Sequence, residues 1–267
     1  QRRRTCGNAG VDRRGGQLMR ARVSKLVIGV VLLLGTPFVR PAAAQSDDRI
    51  VVGVNAGVQT GAAQITDHFE FESNVETATV DVNYPSAAAV LIDGSMTLRL
   101  WHHVGVGVAA SKTTQNGSAD VDARIPHPLF FQQPRTVSGS QSGVGDTQTG
   151  IHFQLSYAIP ATRHLTITLS GGPSYLRVNQ DIVTDIKYSE SYPYDVATFT
   201  SAATEQVSAG ALGFNVGGDV AWMFTRAFGI GGLVRYTRAT VDLESNDRTI
   251  SMDAGGVQAG GGVRLVF

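Results

Sequence analysis

Three arginines, one aspartate and one histidine carry the clearest chemical potential in this chain: Arg99, Arg235, Arg264, Asp219 and His152. Each falls on the polar side of a stretch in which apolar residues alternate with small or polar ones. Gln154 and Gln258 share that side. The chemistry is charge pairing away from bulk water, because a buried charge must find a partner or stay hydrated. Asp219 is the natural counter-charge and is expected to bond at least one arginine. Three cations against one carboxylate leave a surplus for water or loop acids. A second chemistry would be lipid hydrolysis or acyl transfer, with His127 or His152 beside a serine and an acid. A serine-rich chain supplies such pairs by chance, so no catalytic residue is assigned. His102-His103 is a weak metal signal, since adjacent turn histidines are ordinarily just solvated, and His68 and His164 lack ligand spacing. The glycine runs match no phosphate-binding loop. No cofactor or metal is expected.

These residues meet only if the alternating stretches build one wall. Ile50, Val52, Val54, Ala56 and Val58 alternate with Val51, Gly53, Asn55 and Gly57. Met96, Leu98 and Leu100 alternate with Ser95, Thr97 and Arg99, and after His102-His103 the pattern resumes through Val104–Ala110. The same reading gives strands over 150–159, 165–170, 211–224, from 228 to 236, and from 256 to the end. Short turns at His102-His103, Ala161-Thr162-Arg163 and around Arg226 separate them in pairs, and the remaining joins are long. Eight strands of about 9–11 residues suit tilted membrane-spanning β-strands. A soluble eight-stranded barrel would put its apolar side inward, but the second side here is too small and polar to form a core. The expectation is an all-β, eight-stranded antiparallel up-and-down transmembrane β-barrel with an interior filled by side chains. Thr77–Tyr84 and Phe69-Glu70-Phe71 also alternate, so this segment either extends the wall or makes a ten-stranded barrel.

Composition agrees once the leader is set aside. Met19–Lys25 is basic, Leu26–Leu34 is apolar, and Ala42-Ala43-Ala44 before Gln45 is a cleavage site of the A-x-A type, which together predict a signal peptide over 19–44. Residues 1–18 are read as translated upstream sequence, and 45–267 as the barrel domain. Residues 1–44 hold nine basic side chains and one acid of the 22 of each in the chain, so residues 45–267 carry 13 against 21, a net charge of −8. That balance gives no support to nucleic-acid binding. The sole cysteine, Cys6, lies before the predicted cleavage point, which removes disulfide and thiol chemistry from the barrel domain.

The last strand carries the sharpest motif. Val257, Ala259, Gly261, Val263, Leu265 and Phe267 occupy one side; Gln258, Gly260, Gly262 and Arg264 occupy the other. Gly262, Val263, Leu265 and Phe267 resemble the terminal assembly signal of bacterial outer-membrane barrels. With the leader and the short/long joins, residues 45–267 resemble the small OmpA/OmpX-like eight-stranded barrels. That resemblance implies insertion by the barrel assembly machinery, outer-membrane lipid as surroundings, and a bacterial outer-membrane location with both termini periplasmic. It also implies short periplasmic turns and long extracellular loops.

Tyr157, Trp222, Phe224, Phe228 and Tyr236 fall at strand ends, where amphipathic rings favour the headgroup level. Trp101 follows Leu100 out of phase and is placed either on its turn or inside. Function is expected to lie in the long loops. Residues 59–93 hold six acids, Asp93 among them, and no Lys or Arg, which reads as a solvated acidic surface ahead of a site for divalent cations or basic partners. Residues 112–149 and 178–208 offer His127, Phe130, Phe131, Tyr192 and Tyr194 as candidates for contact with an extracellular partner. The expected role is structural or surface-interacting around a plugged polar lumen. A small channel or hydrophobic-compound transporter is the alternative, and a lipid-modifying enzyme stands third.

Overall fold

The computed structural model describes residues 50–61, 65–245 and 248–267. The leader, Ala42, Ala44 and Gln45 at its cleavage site, and the upstream residues 1–18 lie outside them. The described residues form ten strands: β1 (Ile50–Thr60), β2 (Ile65–Ser73), β3 (Glu76–Tyr84), β4 (Ala89–Trp101), β5 (Val104–Ile125), β6 (Arg135–Pro160), β7 (Leu165–Glu190), β8 (Ala197–Met223), β9 (Phe228–Ser245) and β10 (Arg248–Val266). All pairings are antiparallel. Eight strands close a ring in the order β1-β10-β9-β8-β7-β6-β5-β4, sealed by the β1–β4 and β5–β6 ladders. Near the short turns, closure leaves this ring without a free edge.

The segment that could have made strands nine and ten stands outside the ring. β2 and β3 form a hairpin, and β3 joins β5 only through Thr79↔Arg124 to Asn83↔Asp120. That lies beyond Val90↔Thr114, where β4 parts from β5. The hairpin therefore continues the wall above β4 and does not widen the barrel.

The strands are far longer than the membrane-spanning stretches expected from sequence. β5 to β10 run for 18 to 27 residues. Of the long loops expected at 112–149 and 178–208, only 126–134 and 191–196 remain as connections. The physical reason is an inversion of polarity along each strand. On β9 the outward residues Phe228, Ile230, Val234 and Tyr236 are apolar or aromatic, and the next outward ones, Arg238, Thr240, Asp242 and Glu244, are polar. The inward residues change in the opposite sense: Gly231 and Arg235 give way to Ala239, Val241 and Leu243. The outward switch comes between Tyr175 and Arg177 on β7, between Ala110 and Lys112 on β5, and between Ile151 and Thr149 on β6. A period-2 pattern continues through the switch, but the buried face no longer carries the polar residues.

Two tiers result. The lower tier, at the short turns, wears an apolar belt outside and polar side chains within. Nine residues of β9, Phe228 to Tyr236, cross the belt, which at about 3.3 Å per residue and a tilt near 40° gives a height of roughly 20–25 Å. The upper tier has an ordinary apolar core, with Val80, Val82, Val121, Ile125, Val137, Val178, Ile182, Val241 and Leu243 buried. Here β8 leaves β9 above Phe214↔Arg238, and β7 leaves β6 above Gln180. The freed β7–β8 hairpin bends at register shifts near Val183 and Lys187 and reaches strands on the far side of the barrel. Val183 N–H donates to the Tyr84 hydroxyl on β3 at 2.8 Å, and Arg248 of β10 donates to Val183 O at 3.4 Å. Burial pushes the Tyr84 phenol up to about 12. The hairpin caps the barrel.

Candidate functional site

The lower lumen is crossed by one unbroken chain of hydrogen-bonded side chains. It begins at Asp219 on β8, which receives two hydrogen bonds from Arg264 on β10. Arg264 Nη1 donates to Asn55 Oδ1 at 2.7 Å, and Asn55 Nδ2 donates to Asp93 Oδ1 at 2.9 Å. Asp93 Oδ2 accepts from Arg235 Nη2 at 2.5 Å. Arg235 Nε donates to Gln258 Oε1 at 2.8 Å, and Gln258 Nε2 donates to Gln59 Oε1 at 2.7 Å. Gln59 Nε2 donates to Gln148 Oε1 at 3.2 Å, and Gln148 Nε2 donates to Asp146 Oδ2 at 2.9 Å. Asp146 sits at the base of the upper tier, where burial raises its carboxyl above the usual range.

A second cluster surrounds His152. Its Nε2 lies 2.9 Å from Ser111 Oγ and its Nδ1 2.8 Å from Ser174 Oγ, and the ring is fully buried. Asn215 donates to Ser174 Oγ and to the carbonyl of Gly172, both at 2.9 Å. It thereby serves a gap in the β6–β7 ladder beside Pro173, which has no N–H to give. With both ring nitrogens committed to serine hydroxyls and no water access, His152 is a packing hub.

Small residues make room for these long ones. A Cβ on Gly231 would come within 2.8 Å of Arg264 Nε, and one on Gly262 would run into the Val54 backbone of β1. Gly262 thus lets β10 lie close against β1, whatever else reads it. Beside it Val263 and Leu265 point outward, and Phe267 exchanges backbone hydrogen bonds with Ile50 at 2.9 and 3.1 Å.

Several residues sit elsewhere than the sequence suggested. Asp93, assigned to a solvated acidic loop, is an inward residue of β4 and is 1% exposed. β4 begins at Ala89, inside the stretch 59–93 read as an acidic loop, and Asp93 shares the odd-numbered side with Ser95, Thr97 and Arg99, a parity visible in the sequence. Asn55, Gln59 and Gln148 were missed for want of charge. Arg99 does not join the network: it is exposed at the lower mouth and makes no ion pair among the described residues. Trp101 lies outside, 74% exposed, edge-on to His102.

Tyr157, Trp222, Phe224 and Phe228 stand outward at the short-turn edge of the belt, and Tyr175 and Tyr236 at its other edge. At the distal tip His127 is buried, not presented: its Nδ1 accepts from Leu129 N–H at 3.1 Å and its ring packs on Phe130. Phe130, Phe131, Leu129 and Tyr192 are exposed there, while Tyr194 is half-buried. Arg135 ties the two tip loops together, bonding Glu190 at 2.6 Å, Tyr194 O at 2.9 Å and Pro126 O at 3.0 Å.

The lower mouth opens into a vestibule of about 530 Å³. It is lined by Arg99, Arg163, Arg226 and Arg264, with Asp219 as its carboxylate. Among the described residues no group of three or more His, Cys, Asp or Glu side chains is placed to share a metal ion.

Among solved structures the chain is similar to the outer membrane protein OprG from Pseudomonas aeruginosa, at 12% identity and a TM-score of 0.47 over 82% of this chain and 95% of that one. It is similar to Neisserial surface protein A at 11% and 0.46, over 84% and 100%. It is also similar to the outer membrane protease OmpT from Escherichia coli at 8% and 0.45, over 85% and 99%. No protein-family model and no curated protein matches it.

Proposed function

We propose that this chain is an integral protein of a bacterial outer membrane, with a plugged polar lumen and an extracellular head that serves surface contact. The short turns and both termini face the periplasm in this reading, and the barrel assembly machinery reads Gly262, Val263, Leu265 and Phe267 during insertion. The carrying observation is the polarity switch on the strands that rise above the belt. An outside that is apolar over roughly 20–25 Å and then charged fits a hydrocarbon layer with water beyond it. So large an apolar surface is foreign to a soluble monomer.

Against a channel stands the filling of the lumen: the side-chain chain from Asp219 to Asp146 occupies the lower tier, and the apolar core and the β7–β8 hairpin occupy the upper one. For the surface role speaks the tip, where Leu129, Phe130, Phe131 and Tyr192 are exposed on loops that Arg135 holds in place. The test is planar-bilayer conductance of refolded protein, run beside mass spectrometry of lipid A incubated with it. A silent bilayer is expected. Steady conductance would remove the plugged lumen, and a mass change in lipid A would establish an enzyme.

A further inference from the structure

Two of the short turns at the lower mouth are built alike. In the β6–β7 turn Thr162 Oγ1 accepts from the N–H groups of His164 at 3.3 Å and Leu165 at 3.0 Å. In the β8–β9 turn Thr225 Oγ1 accepts from Ala227 at 3.3 Å and Phe228 at 3.0 Å. The backbones close in the same way. Ala161 and Thr162 N–H both donate to Leu165 O, at 2.9 and 3.1 Å, and Phe224 and Thr225 N–H both donate to Phe228 O, at 3.0 and 3.1 Å. Each turn fixes the residue after its threonine at the same position. That residue is Arg163 in one turn and Arg226 in the other.

Both arginines line the 530 Å³ vestibule, together with Arg99 from β4 and Arg264 from β10. Its carboxylate, Asp219, is already engaged by Arg264 through two hydrogen bonds. Arg99, Arg163 and Arg226 form no ion pair among the described residues. Thr166, Thr168 and Thr225 add hydroxyls to the lining. A concave site walled by low-dielectric protein focuses such a field. Guanidinium groups match phosphate oxygens through paired N–H donors, and a phosphate, with more oxygens and more charge than a carboxylate or halide, can engage several such groups at once. Holding two of them on ordered turns lowers the entropy lost when an anion binds.

We infer that the lower mouth is a phosphate-recognising site, taking the phosphate group either of a lipid headgroup or of a soluble phosphorylated molecule. The geometry is independent of which side of a membrane the mouth faces, so this inference and the membrane orientation can fail separately.

Calorimetry of the refolded full chain in uncharged detergent micelles, titrated with pyrophosphate at low salt, tests it. One saturable site is expected, weakening as salt rises. The double variant Arg163→Gln/Arg226→Gln is expected to bind roughly tenfold more weakly or worse, through loss of two charge-assisted contacts. Arg177→Gln, above the belt on the outer wall, is expected to bind as wild type. If the double variant misfolds on a heat-shift gel, each single variant serves, with a loss of roughly threefold expected. Repeating the titration in micelles doped with phosphatidylglycerol separates the sources. Competition by the lipid assigns a headgroup; undisturbed pyrophosphate binding assigns a soluble ligand. Absence of saturable binding to pyrophosphate together with absence of lipid binding overturns the site. So does undiminished binding by the folded arginine variants.

Discussion

Arg235 on β9 and Asp93 on β4 meet at 2.5 Å inside the barrel, bridging the two strands between them, β1 and β10. Their side chains are 1% and 0% exposed. Both charges have left bulk water, and each is made tolerable by the other and by Asn55 and Gln258. Such a pair is costly to break and cheap to replace whole.

Asp93→Ala should therefore destabilise the folded barrel by about 3–5 kcal/mol, since it leaves Arg235 buried without a counter-charge. The midpoint of the heat-induced mobility shift on a gel reads this. The paired replacement Asp93→Leu/Arg235→Met should recover most of the loss. Equal damage from single and double variants would show that the pair is not a unit.

Asp219→Ala should cost less than Asp93→Ala. Its side chain is 26% exposed at the vestibule, so water can solvate the orphaned Arg264. The same gel ranks the two, and an Asp219 variant no less stable than wild type would count against the lower end of the network.

The polarity switch on β9 predicts a sharp environmental step. An environment-sensitive fluorophore on Val234→Cys should report hydrocarbon when the barrel is in vesicles, and one on Thr240→Cys should report water. The chain offers no competing thiol in residues 45–267. Similar emission at both positions would misplace the belt.

The capping hairpin is latched where Val183 meets Tyr84 and Arg248. Arg248 also bonds Asp67 at 2.9 Å and lies over the Phe69 ring at 4.5 Å. Arg248→Ala should accelerate hydrogen exchange at Val183 and its β7–β8 neighbours, while exchange in the belt strands stays slow. Uniform acceleration would mean general unfolding; none at all would mean that the latch is idle.

His68 and Asp81 pair across the β2–β3 hairpin at 2.8 Å. The bond to Asp81 raises the imidazole pKa above its usual value. A histidine whose pKa is raised on folding stabilises the fold below its unfolded pKa, about 6.5, and that contribution fades as pH rises through the elevated folded value. NMR titration of the His68 ring should give a raised midpoint that Asp81→Asn returns towards 6.5. An unchanged midpoint in the variant would remove Asp81 as the cause.

Alternation alone determined much of this protein. A period-2 pattern has one reading in φ/ψ space, and strand parity puts every second residue on one wall. Hence the eight ring strands, the outward direction of Tyr157, Trp222, Phe224, Phe228 and Tyr236, and the inward direction of Arg264 and Asp219 were legible before any coordinates. The tertiary structure decided three further things. It showed that strands continue past the belt, because an inverted apolar face looks like a polar loop when only lipid-facing patterns are sought. It set which polar residues touch, since partners such as Asp93 and Arg235, 142 residues apart, are matched by barrel register and not by spacing. And it brought Arg163 and Arg226, each alone in a separate turn, to one mouth, because ring closure fixes which turns become neighbours.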